Sequence, residues 1–287
     1  MKMPNSVCWN ITKQCNDNCL FCYRDQISEN LSFNSRKSII EKIALSGIRK
    51  ITFAGGEPLL VPEIQELINY SNNLELTVSM STNGILLKGE LLDFCLENLD
   101  WLTLSLDGAS DTIQKEMTRN SGHLKRVLDI LDYAVQYKKR KCKLKINTVV
   151  SHVNKENILE IADVIASRSV NRWKLFQFVP LRGNAVVHNE KFAITDAEFN
   201  QVVTQTQKFL KNEKVLLSIS GRENIESAYF VIFPNGDIKI STDLKDIVLG
   251  NALTDDLKQI WIKGNYYREL HEERTKCVVH AKRETIN

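Results

Sequence analysis

Strand–helix alternation, repeated six times, is the feature that most restricts how this chain can fold, because it calls for βαβ units and a parallel sheet. Strand-like runs lie at 7–12, 50–54, 74–81, 101–106, 143–150 and 173–179. Helical patterns fill the stretches near 35–46, 62–71, 88–98, 121–139 and 154–168, with entry signals such as Pro62 and Asn154…Asn157. A further helix is expected from Thr195 to about Lys211. Six units are too few for a closed eight-stranded barrel, so the expected fold is α/β, a partial (βα)6 barrel. Ligands in such a fold sit at the carboxyl ends of the strands. The style then changes. Residues 229–233, Pro234-Asn235-Gly236-Asp237 and 238–241 read as a β-hairpin turning on Asn-Gly. A last helix near 255–263 and a polar tail follow. The expected division is a barrel core over 1–212 and an extension over 213–287 that closes the active site within the same domain unit.

Composition removes several function classes. With 43% hydrophobic and 25% charged positions among 287 residues, disorder and fibrous rods are excluded. A net charge of +3 is too small for general attraction to nucleic acid or membranes. No apolar run approaches the ~18 residues of a membrane span. The start, Met1-Lys2-Met3-Pro4-Asn5-Ser6, has neither a signal core nor an amphipathic leader. A cytoplasmic monomer without nucleic-acid or membrane partners is expected, its seven cysteines being thiols or ligands and not disulfides.

The first strand runs into Cys15-Asn16-Asp17-Asn18-Cys19-Leu20-Phe21-Cys22, a CxxxCxxC spacing. Three thiolates on one short loop beyond a strand can converge on one metal centre. A 4Fe–4S cluster normally takes four cysteines, so three leave one iron open. A structural zinc site would want a second pair of ligands, and Cys8, Cys95, Cys142, Cys277 and the five histidines are scattered. Three unrelated buried cysteines would need a coincidence of spacing and position.

This loop, with an aromatic residue beside its last cysteine, resembles that of the radical S-adenosylmethionine (SAM) superfamily. The resemblance implies a 4Fe–4S cluster on Cys15, Cys19 and Cys22, with SAM chelated at the open iron and cleaved reductively to abstract a hydrogen atom from substrate. It implies an electron donor of the flavodoxin or ferredoxin kind. Gly55-Gly56-Glu57-Pro58 resembles the GGEP motif, which implies that its backbone and Glu57 receive the SAM amino group. Ser81-Thr82-Asn83-Gly84 and Ser105-Leu106-Asp107-Gly108 resemble loops near the SAM ribose, which brings in Ser81, Asn83 and Ser105. Arg119 is either a partner of the SAM carboxylate or a solvated surface side chain.

Strands five and six carry an anomaly. Parallel strands covered by helices read as continuous apolar runs. Here Lys143, Lys145 and Asn147 alternate with Leu144, Ile146 and Thr148, and Arg172 and Lys174 alternate with Trp173 and Leu175. Lys50 opens strand two in phase with Thr52 and Ala54. If those faces point inward, converging cations require an anion, and a triphosphate suits lysine and arginine. Lys143 is expected instead at a strand end, in water. The pattern resembles the viperins and their prokaryotic relatives, through Thr12-Lys13-Gln14-Cys15-Asn16, residues 145–150, 172–177 and 192–199, and Glu226-Ser227-Ala228-Tyr229. That resemblance implies Lys50, Lys145, Asn147, Arg172, Lys174 and Tyr229 as holders of a nucleoside triphosphate. It implies dehydration of CTP, UTP or GTP to a 3′-deoxy-3′,4′-didehydro nucleotide that terminates viral RNA synthesis. Tyr229 is a phosphate ligand, a catalytic proton donor or a hairpin core aromatic. Cys8 and Asn10 depart from the family, which commonly has Asn and His at those places.

Two other readings compete. A peptide-modifying radical SAM maturase would match Gly250-Asn251-Ala252-Leu253, but its auxiliary clusters need several more cysteines, and after Cys142 only Cys277 remains. A non-enzymatic, metal-stabilised binding module lacks a fourth ligand and leaves the basic strands unexplained.

Overall fold

The computed structural model describes residues 3–27, 31–225 and 229–264. The segment Glu226-Ser227-Ala228, the polar tail and Cys277 lie outside the described residues. Six parallel strands appear where the alternation puts them: β1 (Ser6–Thr12), β2 (Lys50–Gly55), β3 (Thr77–Thr82), β4 (Trp101–Ser105), β5 (Lys143–Val150) and β6 (Arg172–Gln177). Between them run α1 (Phe33–Leu45), α2 (Ile64–Asn73), α3 (Gly89–Asn98), α4 (Asp111–Glu116), α5 (His123–Gln136) and α6 (Ile158–Ala166). Helix α4 is an addition to the expected set, started by Ser110, whose hydroxyl accepts from the Ile113 amide. After β6 come α7 (Asn184–Val187), α8 (Asn189–Phe192) and α9 (Asp196–Phe209); in α9, Thr195 and Glu198 form a reciprocal capping box.

The sheet is larger than six strands. β7 (Leu216–Ser220) pairs parallel to β6, and after α10 (Arg222–Ile225) the chain returns to the opposite side, where β8 (Val231–Ile232) lies parallel to β1. β9 (Asp237–Thr242) and β10 (Lys245–Asn251) continue antiparallel, followed by α11 (Leu257–Lys263). The order is β10-β9-β8-β1-β2-β3-β4-β5-β6-β7, an open sheet and thus a partial barrel. A boundary at 212 falls just before β7, so residues after it extend the same sheet from both sides. The expected hairpin is present as β8–β9, its turn holding Gly236 at φ +89°.

One face of the strands is apolar and covered by helices: Trp9, Phe53, Met80, Leu104, Ile146 and Trp173 are fully buried. Each such side chain contributes ~1.5–3 kcal/mol through burial. The alternate residues point into the lumen, which is why β5 alternates although it is parallel. Among the described residues no helix is long and apolar enough to cross a membrane.

Candidate active site

Cys15, Cys19 and Cys22 leave the carboxyl end of β1 and line one cavity of about 170 Å3. That is several times the ~30 Å3 share of one water, room for a multi-atom group. Among the described residues no three Cys, His, Asp or Glu side chains are arranged around a single ion. Polar hydrogens aim at the sulfurs: the Asp17 amide and Asn83 Nδ2 donate to Cys15 Sγ at 3.4 and 3.8 Å, and Arg119 Nη1 to Cys19 Sγ at 3.2 Å. Burial pushes the Cys15 and Cys19 thiols up, so their thiolates need a cation nearby. Three thiols with such donors and no fourth cysteine on the loop fit a cluster with one open iron.

The loop is held from several sides. Leu20 N donates to Thr118 Oγ1 at 2.8 Å, Ala185 N to the Cys22 carbonyl at 3.1 Å, and Asn184 Nδ2 to the Cys19 carbonyl at 3.3 Å. Gly56 N and Glu57 N donate to the Thr12 and Gln14 carbonyls at 2.7 and 2.8 Å. The glycines are needed for this contact: Gly55 has φ +127°, and a Cβ at Gly56 would stand 2.0 Å from the Gln14 oxygen. Gly56→Ala should therefore destabilise the fold by roughly 1–3 kcal/mol and lower iron retention together. Thermal melting and iron analysis check this; unchanged values would mean that the loop relaxes freely.

Several of the expected cofactor residues also have partners within the chain. Glu57 is fully buried and lines neither cavity. Its carboxylate accepts from the Leu59 amide, Thr82 Oγ1 and the Asn83 amide at 3.1, 2.7 and 2.8 Å. Those bonds make it a brace between β2 and the end of β3. Asn83 lines the small cavity while donating to Asn16 Oδ1 at 2.8 Å, so it also fastens the thiol loop. Ser81 and Ser105 line both cavities, as do Gly55 and Arg119; Gly56 lines only the smaller. Arg119 is not a solvated side chain. It is 8% exposed and bridges Asp17 and Asp107, with nitrogen–oxygen distances of 3.2 and 2.6 Å. Burial works against its charge, but Cys19, Asp107 and Asp17 outweigh that and hold it protonated.

The small cavity adjoins a lumen of about 640 Å3, within the usual range of ligand sites. Strand register sets Ser81, Thr103, Lys145 and Arg172 on one rung and Ser105, Asn147, Lys174 and Ser218 on the next. Lys50, Lys145, Asn147, Arg172, Lys174 and Tyr229 all line this lumen. Lys143 does not; its ammonium lies 5.9 Å from the Trp101 ring centre. Among the described residues no carboxylate pairs with Lys50, Lys145 or Arg172, and Arg172 Nε and Asn147 Oδ1 are buried without a hydrogen-bond partner. Lys174 donates to Tyr229 Oη at 2.6 Å, and Ser220 Oγ lies 3.0 Å from the same oxygen. Tyr229 thus reaches the cations and is not merely hairpin core.

Burial and the Arg172 charge lower Lys50 from the ordinary lysine range to about 8, and burial with Lys174, Lys50 and Arg172 holds Lys145 well below that ordinary range. The like charges are costly to keep together without an anion. Cys8 lies among them; burial raises its thiol to about 11 despite Lys145, Lys174 and Lys50, so it stays neutral. Sequence reasoning missed Asp17, Asp107 and Arg24 as residues facing the cavities. Their signal was weak, because a charge in a loop reads as solvated until the loop's neighbours are known.

The family profile described as "Radical SAM superfamily" matches residues 9–165. An "S-adenosylmethionine-dependent nucleotide dehydratase" of Flammeovirga pacifica is 33% identical over 239 residues, covering 76% of this chain and 81% of that one. A protein of the same description from Lacinutrix mariniflava is 31% identical over 251 residues, covering 82% of this chain but half of that longer relative. In structure the chain is similar to Streptococcus suis SuiB bound to S-adenosylmethionine, with a TM-score of 0.74 at 17% identity, covering 94% of this chain and 67% of SuiB. That likeness shows the fold. The chain belongs to the radical SAM superfamily and, within it, to the viperin-like family of S-adenosylmethionine-dependent nucleotide dehydratases. Radical SAM enzymes work with a 4Fe–4S cluster and SAM, which agrees with the donor set around the three thiols.

Proposed function

We propose that the protein dehydrates a nucleoside triphosphate (CTP, UTP or GTP) to its 3′-deoxy-3′,4′-didehydro analogue, a chain terminator in antiviral defence. The observation that carries this reading is the group of buried basic side chains in the same lumen as the thiol loop. Cys15, Cys19 and Cys22 would hold the cluster, with SAM beside Gly55, Gly56, Glu57, Ser81, Asn83, Ser105 and Arg119. When bound, cluster and SAM supply hydrogen-atom abstraction at ribose C4′.

The chain's own residues do the positioning. Lys50, Lys145, Arg172 and Lys174 bind phosphate oxygens by charge-assisted hydrogen bonds, and Asn147 offers a further polar contact. Clamping phosphates remote from C4′ fixes the ribose at the reacting end, where orientation governs rate and side reactions. Tyr229 Oη, already accepting a hydrogen bond from Lys174, is a phosphate ligand or the proton donor when the 3′-hydroxyl leaves as water. Residues after 212 close the mouth, with Lys239 and Ser241 in the lumen wall. The electron comes from a flavodoxin- or ferredoxin-like protein, and the enzyme works as a cytoplasmic monomer.

Lys50 supplies a pH test. Free in the lumen it loses its proton above pH of about 8, whereas a bound triphosphate holds it charged. Nucleotide binding should therefore take up protons at pH 8.5–9, where the phosphates, with a second pKa near ~6, no longer titrate. By the same linkage the unliganded protein gains stability as pH rises from about 8 toward the unfolded lysine range near ~10.4, since the unfolded chain then binds the extra proton. Calorimetry of CTP, UTP and GTP binding in buffers of differing ionisation enthalpy reads the uptake. Its absence in the parent protein, or an undiminished uptake in Lys50→Gln, where only Lys145 remains to be recharged, would remove Lys50 from the phosphate site.

A further inference from the structure

Trp101 breaks the pattern of the face on which it stands. On β4, residues 101, 103 and 105 share one side, opposite the buried Leu102 and Leu104, and Thr103 and Ser105 line the lumen. Their cross-strand partners are small or polar: Ser79 and Ser81 on β3, and Lys143, Lys145 and Asn147 on β5. Trp101 is the one large aromatic side chain among them, at the amino end of its strand, and it is 5% exposed. Its indole Nε1 is buried without a hydrogen-bond partner among the described residues. A buried indole normally finds one, so the position uses the ring and not its donor.

The ring has a cation against it. The Arg172 guanidinium carbon lies 5.3 Å from the centre of the Trp101 ring, within cation–π range. Arg172 lines the lumen and Trp101 does not, so the indole backs the guanidinium from behind the wall. Lys143 also lies near the ring, at 5.9 Å, but outside the lumen. Among the described residues no carboxylate pairs with Arg172, and its Nε is buried without a partner. Arg172 opens β6 as Lys50 opens β2, and the two charges repel across the lumen. Without the ring nothing polar would hold the guanidinium before an anion arrives, and a long side chain that must be ordered on binding costs affinity.

We propose that Trp101 is a positioning residue of the phosphate site: its ring holds the Arg172 guanidinium in place against the repulsion of Lys50, so that the anion meets a donor already ordered. This rests on the phosphate-binding part of the function proposed above and is independent of which nucleotide is dehydrated.

The test titrates inorganic triphosphate, and separately SAM, into anaerobically reconstituted, unreduced holoprotein by calorimetry. Trp101→Met is expected to weaken triphosphate binding about three- to tenfold, while SAM affinity and iron content stay within about twofold. Trp101→Phe keeps an aromatic face and should bind triphosphate within about twofold of the parent. The loss should vanish in an Arg172→Gln background, where the ring has no guanidinium left to position, whereas a general structural defect would persist there. A second measurement does not depend on Trp101→Met folding: triphosphate should change the tryptophan emission of the parent, and Trp101→Phe should lose most of that change. The proposal is overturned if Trp101→Met binds triphosphate as the parent does, if its loss is equally large in the Arg172→Gln background, or if the emission change persists in Trp101→Phe. A parent protein that binds no triphosphate would remove the phosphate site itself, and this role of Trp101 with it, a result distinct from the other three.

Discussion

Replacing Cys19 by alanine abolishes both cluster binding and turnover. Cys19 is 7% exposed, and its sulfur receives Arg119 Nη1 while its thiol faces Asp17 Oδ2 at 3.1 Å. No other cysteine of the loop can take its place: Cys15 and Cys22 are already committed to the same cavity. Reconstituted Cys19→Ala should show near-zero iron and sulfide, no charge-transfer absorbance and no SAM cleavage. A cluster-free variant that still turned over would sink the radical SAM account of this chain's chemistry. The fold should survive, since Cys19 belongs to a loop tied by Leu20 to Thr118 and by Cys22 to Ala185.

Lys145→Met moves two quantities in opposite senses. In the nucleotide-free protein Lys145 is a buried cation beside Lys174, Lys50 and Arg172, and burial alone already disfavours its charge. An apolar side chain of similar volume removes that repulsion, and such replacements are often stabilising. A rise in melting temperature of about 2–4 °C corresponds to ~1 kcal/mol in a chain of this size. The same change deletes a charge-assisted contact to phosphate, worth ~1.5–3 kcal/mol, so the nucleotide KM should rise about 10- to 100-fold. SAM affinity should stay as it is. A destabilised variant with unaltered KM would make Lys145 a structural residue and leave the phosphate site to others. The opposed signs are informative because a variant that merely misfolded would lose both.

Much of this site could be read from residue order alone. Period-two alternation in β5 separated Lys145 and Asn147 from Leu144 and Ile146, and cysteine spacing beyond a strand marked the metal loop; both signals are local. Register then did the rest by bringing Lys145 beside Arg172 and Asn147 beside Lys174. What stayed hidden depends on contacts across the chain. Glu57 looked like a ligand-facing acceptor next to two glycines. Its partners Thr82 and Asn83 lie about a strand–helix–strand away, so its bracing of the two strands is invisible in the motif. The glycines read as a place for ligand approach, and the backbone that approaches them most closely is the thiol loop itself.

Arg119 posed a similar problem. Its choice between ligand partner and surface side chain could not be made without Asp17, 102 positions earlier, and Asp107. Strand β7 was missed because an edge strand needs only one buried side and can be short. Leu216 is 47% exposed, and the five residues offer little alternation to detect. β10 is a second edge, with Ile247 and Val248 exposed, and hides for the same reason.

The central claim is that one lumen joins a radical-generating thiol loop to a phosphate clamp, so that a nucleotide ribose is the reacting group. The most direct measurement incubates anaerobically reconstituted protein with SAM, dithionite and each of CTP, UTP, GTP and ATP, followed by mass spectrometry. The account predicts one nucleotide product lighter by a single water, with 5′-deoxyadenosine formed in equal amount and no product from the Cys19→Ala variant. Efficient SAM cleavage with every nucleotide returned unchanged would contradict it, and would send the lumen's cations to a different anionic substrate.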